Sequence, residues 1–98
     1  INDYLKTYNI SIAFMACTGV TMKSGLTNAS AEEYLTKKAI AENTASLVLL
    51  ADHSKFGRIS LMTYSSMDNL DAIVTDQKLP DEYDAYCTEH GIRVMTVG

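Results

Sequence analysis

The chain predicts an α/β fold: one domain built on a mainly parallel sheet, with helices covering both faces. Three observations carry this. Short, mostly apolar runs at residues 10–17 (ISIAFMAC), 47–51 (LVLLA) and 72–75 (AIVT) have the near-continuous apolar character of buried strands. Segments of helical character separate them, so the order reads strand, helix, strand, short strand, strand, helix, strand, which requires βαβ crossovers. Each run also stops abruptly at polar residues, and in open α/β sheets ligands bind outside the carboxyl ends of the strands.

Residues 1–9 (INDYLKTYN) read as the end of a helix or a loop leading into the first strand, which closes at Thr18-Gly19. Residues 20–30 (VTMKSGLTNAS) have the Gly, Ser, Thr and Asn content of a loop. Ser30 and Glu33 have the spacing of a capping box and start a helix over 31–45. On that helix Ala31, Tyr34, Leu35, Ala39, Ala41 and Ala45 make one broad stripe toward the sheet. Ile40 falls on the other side beside Glu33 and Lys37, a face expected to meet another element or a subunit.

The run 47–51 is the second strand, followed by a turn or short helical piece around 53–57 and a possible strand at 59–64. Residues 65–70 read as a turn in which Asp68 can cap a single helical turn, and 72–75 as a strand ending at Asp76. Pro80 suits a first helical position, and Asp81, Glu82 and Asp84 favour the amino end of that helix. Gly91 is a left-handed stop, and 92–97 (IRVMTV) is the last strand.

Apolar residues make up 47% and charged residues 20% of the 98, an ordinary soluble balance. No apolar run approaches the ~18–20 residues that span a bilayer. The net charge of −4 argues against direct duplex binding, which depends on Lys and Arg neutralising phosphates. That charge is uneven: residues 23–58 carry five basic and four acidic side chains, residues 59–98 two and seven. An anionic ligand is therefore expected in the middle third. Cys17 and Cys87 stand far apart without the companions a zinc site needs, and read as free buried thiols of a cytosolic protein, with a disulfide between them the lesser alternative. Beginning at Ile1 without a leader, the chain reads as a trimmed piece of a longer protein.

The strand ends bring together Thr18-Gly19, Asp52 to Lys55 and Thr75-Asp76, a rim of hydroxyls, carboxylates and a lysine suited to a small polyol bearing a charged group. Lys55, just past a buried strand, can offer its ammonium to a phosphate as a point charge; the alternative is a solvated lysine in a turn. Glu33 is explained by the capping box but also lies one turn from Lys37, with which it can pair. Asp52 is a cap for the following turn or a base, His53 a surface polar residue, and Asp76 an Asx-turn terminator or a ligand contact. Thr18-Gly19 and Gly25-Leu26-Thr27 can present backbone donors to an oxyanion. No GxGxxG or GxxxxGK[ST] pattern is present, so neither a dinucleotide nor a nucleoside triphosphate site is supported.

These residues form an ordered series: Phe14-Met15-Ala16-Cys17-Thr18-Gly19-Val20, Gly25-Leu26-Thr27, Glu32-Glu33 with Lys37-Lys38-Ala39, Ala51-Asp52-His53-Ser54-Lys55-Phe56-Gly57, and Ala72-Ile73-Val74-Thr75-Asp76. From about Tyr8 to Val97 the series resembles the C-terminal effector domain of DeoR-family transcriptional repressors. The resemblance implies the three-layer, Rossmann-like fold of ribose-5-phosphate isomerases and related sugar-phosphate isomerases. It implies one effector-binding domain, of which residues 1–98 are the C-terminal part. The front of that domain, with a threonine-rich phosphate loop, and a helix-turn-helix that reads the operator would lie outside these residues.

The same resemblance implies a cytoplasmic, oligomeric repressor of sugar metabolism that releases DNA when a phosphorylated sugar binds. Lys55 would contact the phosphate, Glu33 and Lys37 would face the pocket, and Thr18 and Gly19 would form its rim. Ala16 and Thr18 depart from the family pattern, in which a glycine and a carboxylate or amide are more usual. An isomerase needs a positioned general base near there, so its absence argues against catalysis. No catalytic residue, metal or cofactor is expected. The alternatives are a sugar-phosphate isomerase on the same fold and a module serving chiefly for oligomerisation.

Overall fold

A computed structural model describes residues 9–97, so the reading of residues 1–8 lies outside it. Along the chain run β1 (Ile10–Met15), β2 (Gly19–Thr21), β3 (Gly25–Asn28), α1 (Ala31–Asn43) and β4 (Thr44–Leu50). A 3-10 turn (His53–Lys55), β5 (Met62–Ser65) and a second 3-10 turn (Met67–Asn69) follow, then β6 (Ala72–Thr75), α2 (Asp81–His90) and β7 (Arg93–Thr96).

The expected parallel sheet is present, with four strands in the order β1-β4-β6-β7. Each crossover steps in the same direction, and right-handed crossovers in one direction fall on one face. That face carries Ala13 beside Leu47, and Met15 beside Leu49 and Ile73. These residues form one core with Tyr83 and Cys87 of α2, and Tyr34, Ile40 and Ala41 of α1 pack against it. On the other face Ile12, Phe14, Leu50 and Met95 stay 43–59% exposed. The described residues thus supply the sheet and one flanking layer.

Residues 20–30 are not a loop. They supply β2 and β3, which pair antiparallel with each other, and β3 pairs antiparallel with β5 on its other side to make a second, three-stranded sheet. The composition misleads because Thr27 is a buried strand residue whose polarity is absorbed: its hydroxyl donates to Gly19 O at 2.8 Å and accepts from Ser60 N at 2.9 Å. Val20 and Leu26 are fully buried beside it. The short strand expected at 59–64 is β5, and it belongs to this sheet rather than to the parallel one.

Helix α1 begins as its capping box requires, with Ser30 Oγ accepting from Glu33 N at 3.3 Å. It ends at Asn43 rather than 45, where Asn43 Nδ2 donates to Ala39 O at 2.7 Å and Thr44 turns extended into β4. Its orientation differs in part from the stripe reading: Leu35 is 52% exposed, while Ala39 is buried and Tyr34, Lys37, Ile40, Ala41 and Asn43 are half-buried. The cause is the second sheet, because α1 packs against β5 and β3 as well as β1 and β4. The face that held Ile40 does meet another element, and it lies within this chain.

The later elements follow the sequence closely. Ser66, not Asp68, stands at the cap position of the second 3-10 turn, its hydroxyl donating to the Asp68 carboxylate. Pro80 caps α2 rather than occupying its first turn, and Gly91 closes it at φ +70°. Cys17 and Cys87 are free and buried.

Candidate functional site

Because β1, β4 and β6 run parallel, the segments after them emerge at one edge of the sheet. After β4, Asp52 caps the 3-10 turn by accepting from Ser54 N at 2.8 Å, and it also takes the Ser54 hydroxyl. The Ser54 hydroxyl first, then its N–H, hold the Asp52 carboxyl down to about 2. Lys55 Nζ stands 3.4 Å from Asp52 Oδ2. Beyond it Phe56 forms a parallel bridge to Val20, and Gly57 N donates to Val20 O at 2.9 Å. The lysine-bearing loop is thereby stitched to β2, next to Thr18 and Gly19. After β6, Asp76 Oδ1 accepts from His53 N at 2.7 Å, tying the second and third strand ends together.

A second polar cluster sits where β1 ends. Lys37 Nζ donates to Ala16 O at 3.0 Å and to Asn28 Oδ1 at 3.1 Å, and lies 5.6 Å from the centre of the Tyr64 ring. Tyr64 Oη donates to the same Ala16 carbonyl at 2.8 Å, and burial pushes its ionisation up. Asn28 Nδ2 donates to Glu33 Oε2 at 3.3 Å, and Thr18 Oγ1 donates to Asn28 Oδ1 at 3.3 Å. The two clusters share one neighbour. Burial pushes the Cys17 thiol up to about 11, and the Lys37 and Lys55 ammoniums both pull against that. Lys37 bonds the end of β1 directly, and the turn that carries Lys55 is bridged to β2 just beyond it.

Of the residues expected at the site, Thr18, Glu33 and Lys37 meet in one hydrogen-bonded group, and Asp52 and Lys55 in another. Gly19 is buried between them. A side chain there would run into the Arg58 backbone, so glycine is required by close approach. The Thr18 N–H is spent on Thr27 O at 2.9 Å and is not a donor held for an oxyanion. His53 is more than a surface polar residue, since it bonds Asp76 through backbone and ring.

Asn28 and Tyr64 were not among the expected site residues. Asn28 stood in a stretch whose composition spoke for a loop, and Tyr64 at the end of an apolar run. The signal for both lies in their pairing partners, not in local pattern. The direct Glu33–Lys37 pair that helical spacing allows is replaced by contacts of both residues to Asn28.

A surface concavity of about 520 Å³ lies elsewhere, lined by Asn9, Ile10, Ser11 and residues 42–45 at the amino ends of β1 and β4. It holds neither lysine and lies at the sheet edge opposite the one where ligands of such folds bind.

A sequence model of the DeoR C-terminal sensor domain matches residues 1–77. The chain belongs to this family. The sensor domain is 52% identical over 90 residues to the HTH-type transcriptional regulator IolR of Bacillus subtilis, a match covering 92% of this chain. It is 29% identical over 92 residues to the glycerol-3-phosphate regulon repressor of Escherichia coli, covering 94% of this chain. With the HTH-type transcriptional regulator GolR of Listeria innocua the identity is 35% over 77 residues, 79% of this chain. The match spans 36% of the length of each of the first two relatives and 30% of the third. This is a regulatory domain of mixed α/β architecture, and no helix among its described residues is long and apolar enough to cross a membrane.

Proposed function

We propose that this sensor domain binds a phosphorylated sugar at the carboxyl ends of β1, β4 and β6, and that binding relieves operator binding by a helix-turn-helix elsewhere in the full-length protein. The observation that carries this is that Lys37 bonds the Ala16 carbonyl at the end of β1, while the turn bearing Lys55 is stitched to β2 just beyond it. A phosphate needs compact positive charge, which Lys55 supplies from a backbone-anchored turn. A polyol needs paired donors and acceptors, which Glu33, Lys37 and Thr18 supply, with Gly19 keeping the rim close. Asp52 acts on the ligand through Lys55, as cap and counter-ion, more than by direct contact.

Binding must favour one arrangement of the full-length protein over another if it is to change DNA affinity. A homo-oligomer in the cytoplasm, its subunits shifting against each other, provides those two arrangements. The domain acts without catalysis: its relatives are named as regulators, and no carboxylate occupies the Ala16–Thr18 strand end to serve as an enolising base.

The test is a thermal-shift screen of the full-length protein against pentose, hexose and triose phosphates, repeated with Lys55→Ala. A ligand stabilises as its concentration exceeds Kd, by about 2.7 kcal/mol at a hundredfold excess. The wild type is expected to shift with at least one phosphorylated sugar and not with its unphosphorylated counterpart, and Lys55→Ala to lose most of that shift. An undiminished shift in the variant removes Lys55 from the site, and turnover of any pentose or hexose phosphate to its isomer overturns the non-catalytic reading.

A further inference from the structure

We infer that Asn28 is a positioning residue whose carboxamide keeps Glu33 and Lys37 from closing on each other, so that both remain open to the ligand. The inference rests on the sugar-phosphate reading of the site. Glu33 and Lys37 stand one helical turn apart on α1, the spacing at which a carboxylate and an ammonium pair directly. Each instead bonds one end of the same amide: Oδ1 takes the Lys37 ammonium at 3.1 Å, and Nδ2 gives to the Glu33 carboxylate at 3.3 Å.

A neutral carboxamide accepts at one end and donates at the other. It can therefore hold a cation and an anion side by side while adding no charge. An aspartate at this position would hold the lysine and repel the glutamate, and an aliphatic residue would release both.

The amide is itself fixed. Asn28 is 4% exposed and lies at the end of β3, where Oδ1 also accepts from Thr18 Oγ1 at 3.3 Å. Lys37 is steadied on its other side by Ala16 O and the Tyr64 ring. Glu33, at an exposed position of the first turn, keeps its second carboxylate oxygen for a hydroxyl. Asn28 thus connects Thr18, Glu33 and Lys37. Its position at a buried strand end, rather than in a mobile loop, lets it set the spacing of a charged acceptor and a charged donor to match neighbouring hydroxyl and phosphate groups.

The test is isothermal titration of full-length protein with ribose 5-phosphate, fructose 6-phosphate and glycerol 3-phosphate. The proteins are the wild type, Asn28→Ala, Glu33→Gln and the double variant. Asn28→Ala is expected to weaken the best wild-type binder about tenfold, the scale of a hydrogen bond to a charged group. In the Glu33→Gln background the further loss should shrink to about twofold, because no carboxylate remains to capture Lys37. An equal loss in both backgrounds, or none in either, overturns the inference, since a merely structural asparagine does not depend on Glu33.

Asn28→Asp preserves shape should the alanine variant fail to fold. Its loss of affinity should shrink as salt rises from about 0.05 to 0.5 M, because the new carboxylate acts by charge; a salt-independent loss also overturns the inference. If the wild type binds none of the probes, the sugar-phosphate reading itself fails, an outcome separate from a wild type that binds and is indifferent to position 28.

Discussion

Asp76 holds His53 by two contacts: Oδ1 accepts the His53 backbone N–H at 2.7 Å, and Oδ2 faces ring Nδ1 at 2.9 Å. A carboxylate offers only acceptors, so Nδ1 carries the proton in this arrangement. The two contacts join the turn after β4, which carries Lys55, to the end of β6. Two strand ends thus become one rim.

This contact makes acid stability depend on Asp76. The His53 ring first, then its N–H, hold the Asp76 carboxyl below the ordinary 3.8. A depressed folded-state value means the contact contributes fully above the unfolded value and fades as pH falls through the folded one. Asp76→Asn should therefore melt below the wild type at pH 7, and the gap should narrow as pH drops under 3.8. Thermal unfolding followed by circular dichroism from pH 7 to pH 2 reads this directly. A gap of constant size across that range would mean the carboxylate's charge plays no part.

Gly25 and Gly91 separate two reasons for glycine. Both have positive φ, +76° and +70°, which costs an L side chain roughly 1–2 kcal/mol. Around Gly91 nothing lies within 4 Å of where a Cβ would stand, whereas at Gly25 that atom would overlap the Ser65 carbonyl oxygen of β5. Gly91→Ala should lose only the conformational amount. Gly25→Ala adds overpacking of about 1–3 kcal/mol and strains the β3–β5 pairing itself. Urea denaturation of both variants gives the comparison, and equal losses would count against the close contact.

The parts of the fold legible in the sequence were those set by local pattern. The apolar runs of β1, β4 and β6, the Ser30–Glu33 cap and the Pro80 and Gly91 ends of α2 all depend on neighbours in the chain. The second sheet was not legible because Thr27 is satisfied by Gly19 and Ser60, one of them 33 residues away. The rotation of α1 followed from that sheet, and so did the inward turn of Lys37. The placement of the candidate residues was legible in the same measure: Lys55 and Asp52 come straight after an apolar run. Asn28 and Tyr64 enter only through partners that tertiary structure brings to them.

Asp52 offers a sharp test of how charge is arranged at the rim, because it has two separable roles. Its carboxylate caps the 3-10 turn through Ser54 and stands 3.4 Å from Lys55 Nζ, with both side chains partly exposed. Serine also caps a helical turn well, so Asp52→Ser keeps the local fold while removing the charge beside the lysine. An exposed ion pair of this kind is largely screened by solvent, so folding stability should barely move. Lys55, relieved of its counter-ion, should then bind a phosphorylated sugar or inorganic phosphate about two- to fivefold more tightly at low salt, with the gain disappearing as salt screens the site. Titration calorimetry at about 0.05 and 0.5 M salt measures both. Had the carboxylate bonded a ligand hydroxyl directly, the same substitution would weaken the sugar phosphate and leave inorganic phosphate untouched, so the sign of the change assigns Asp52 to the turn or to the ligand.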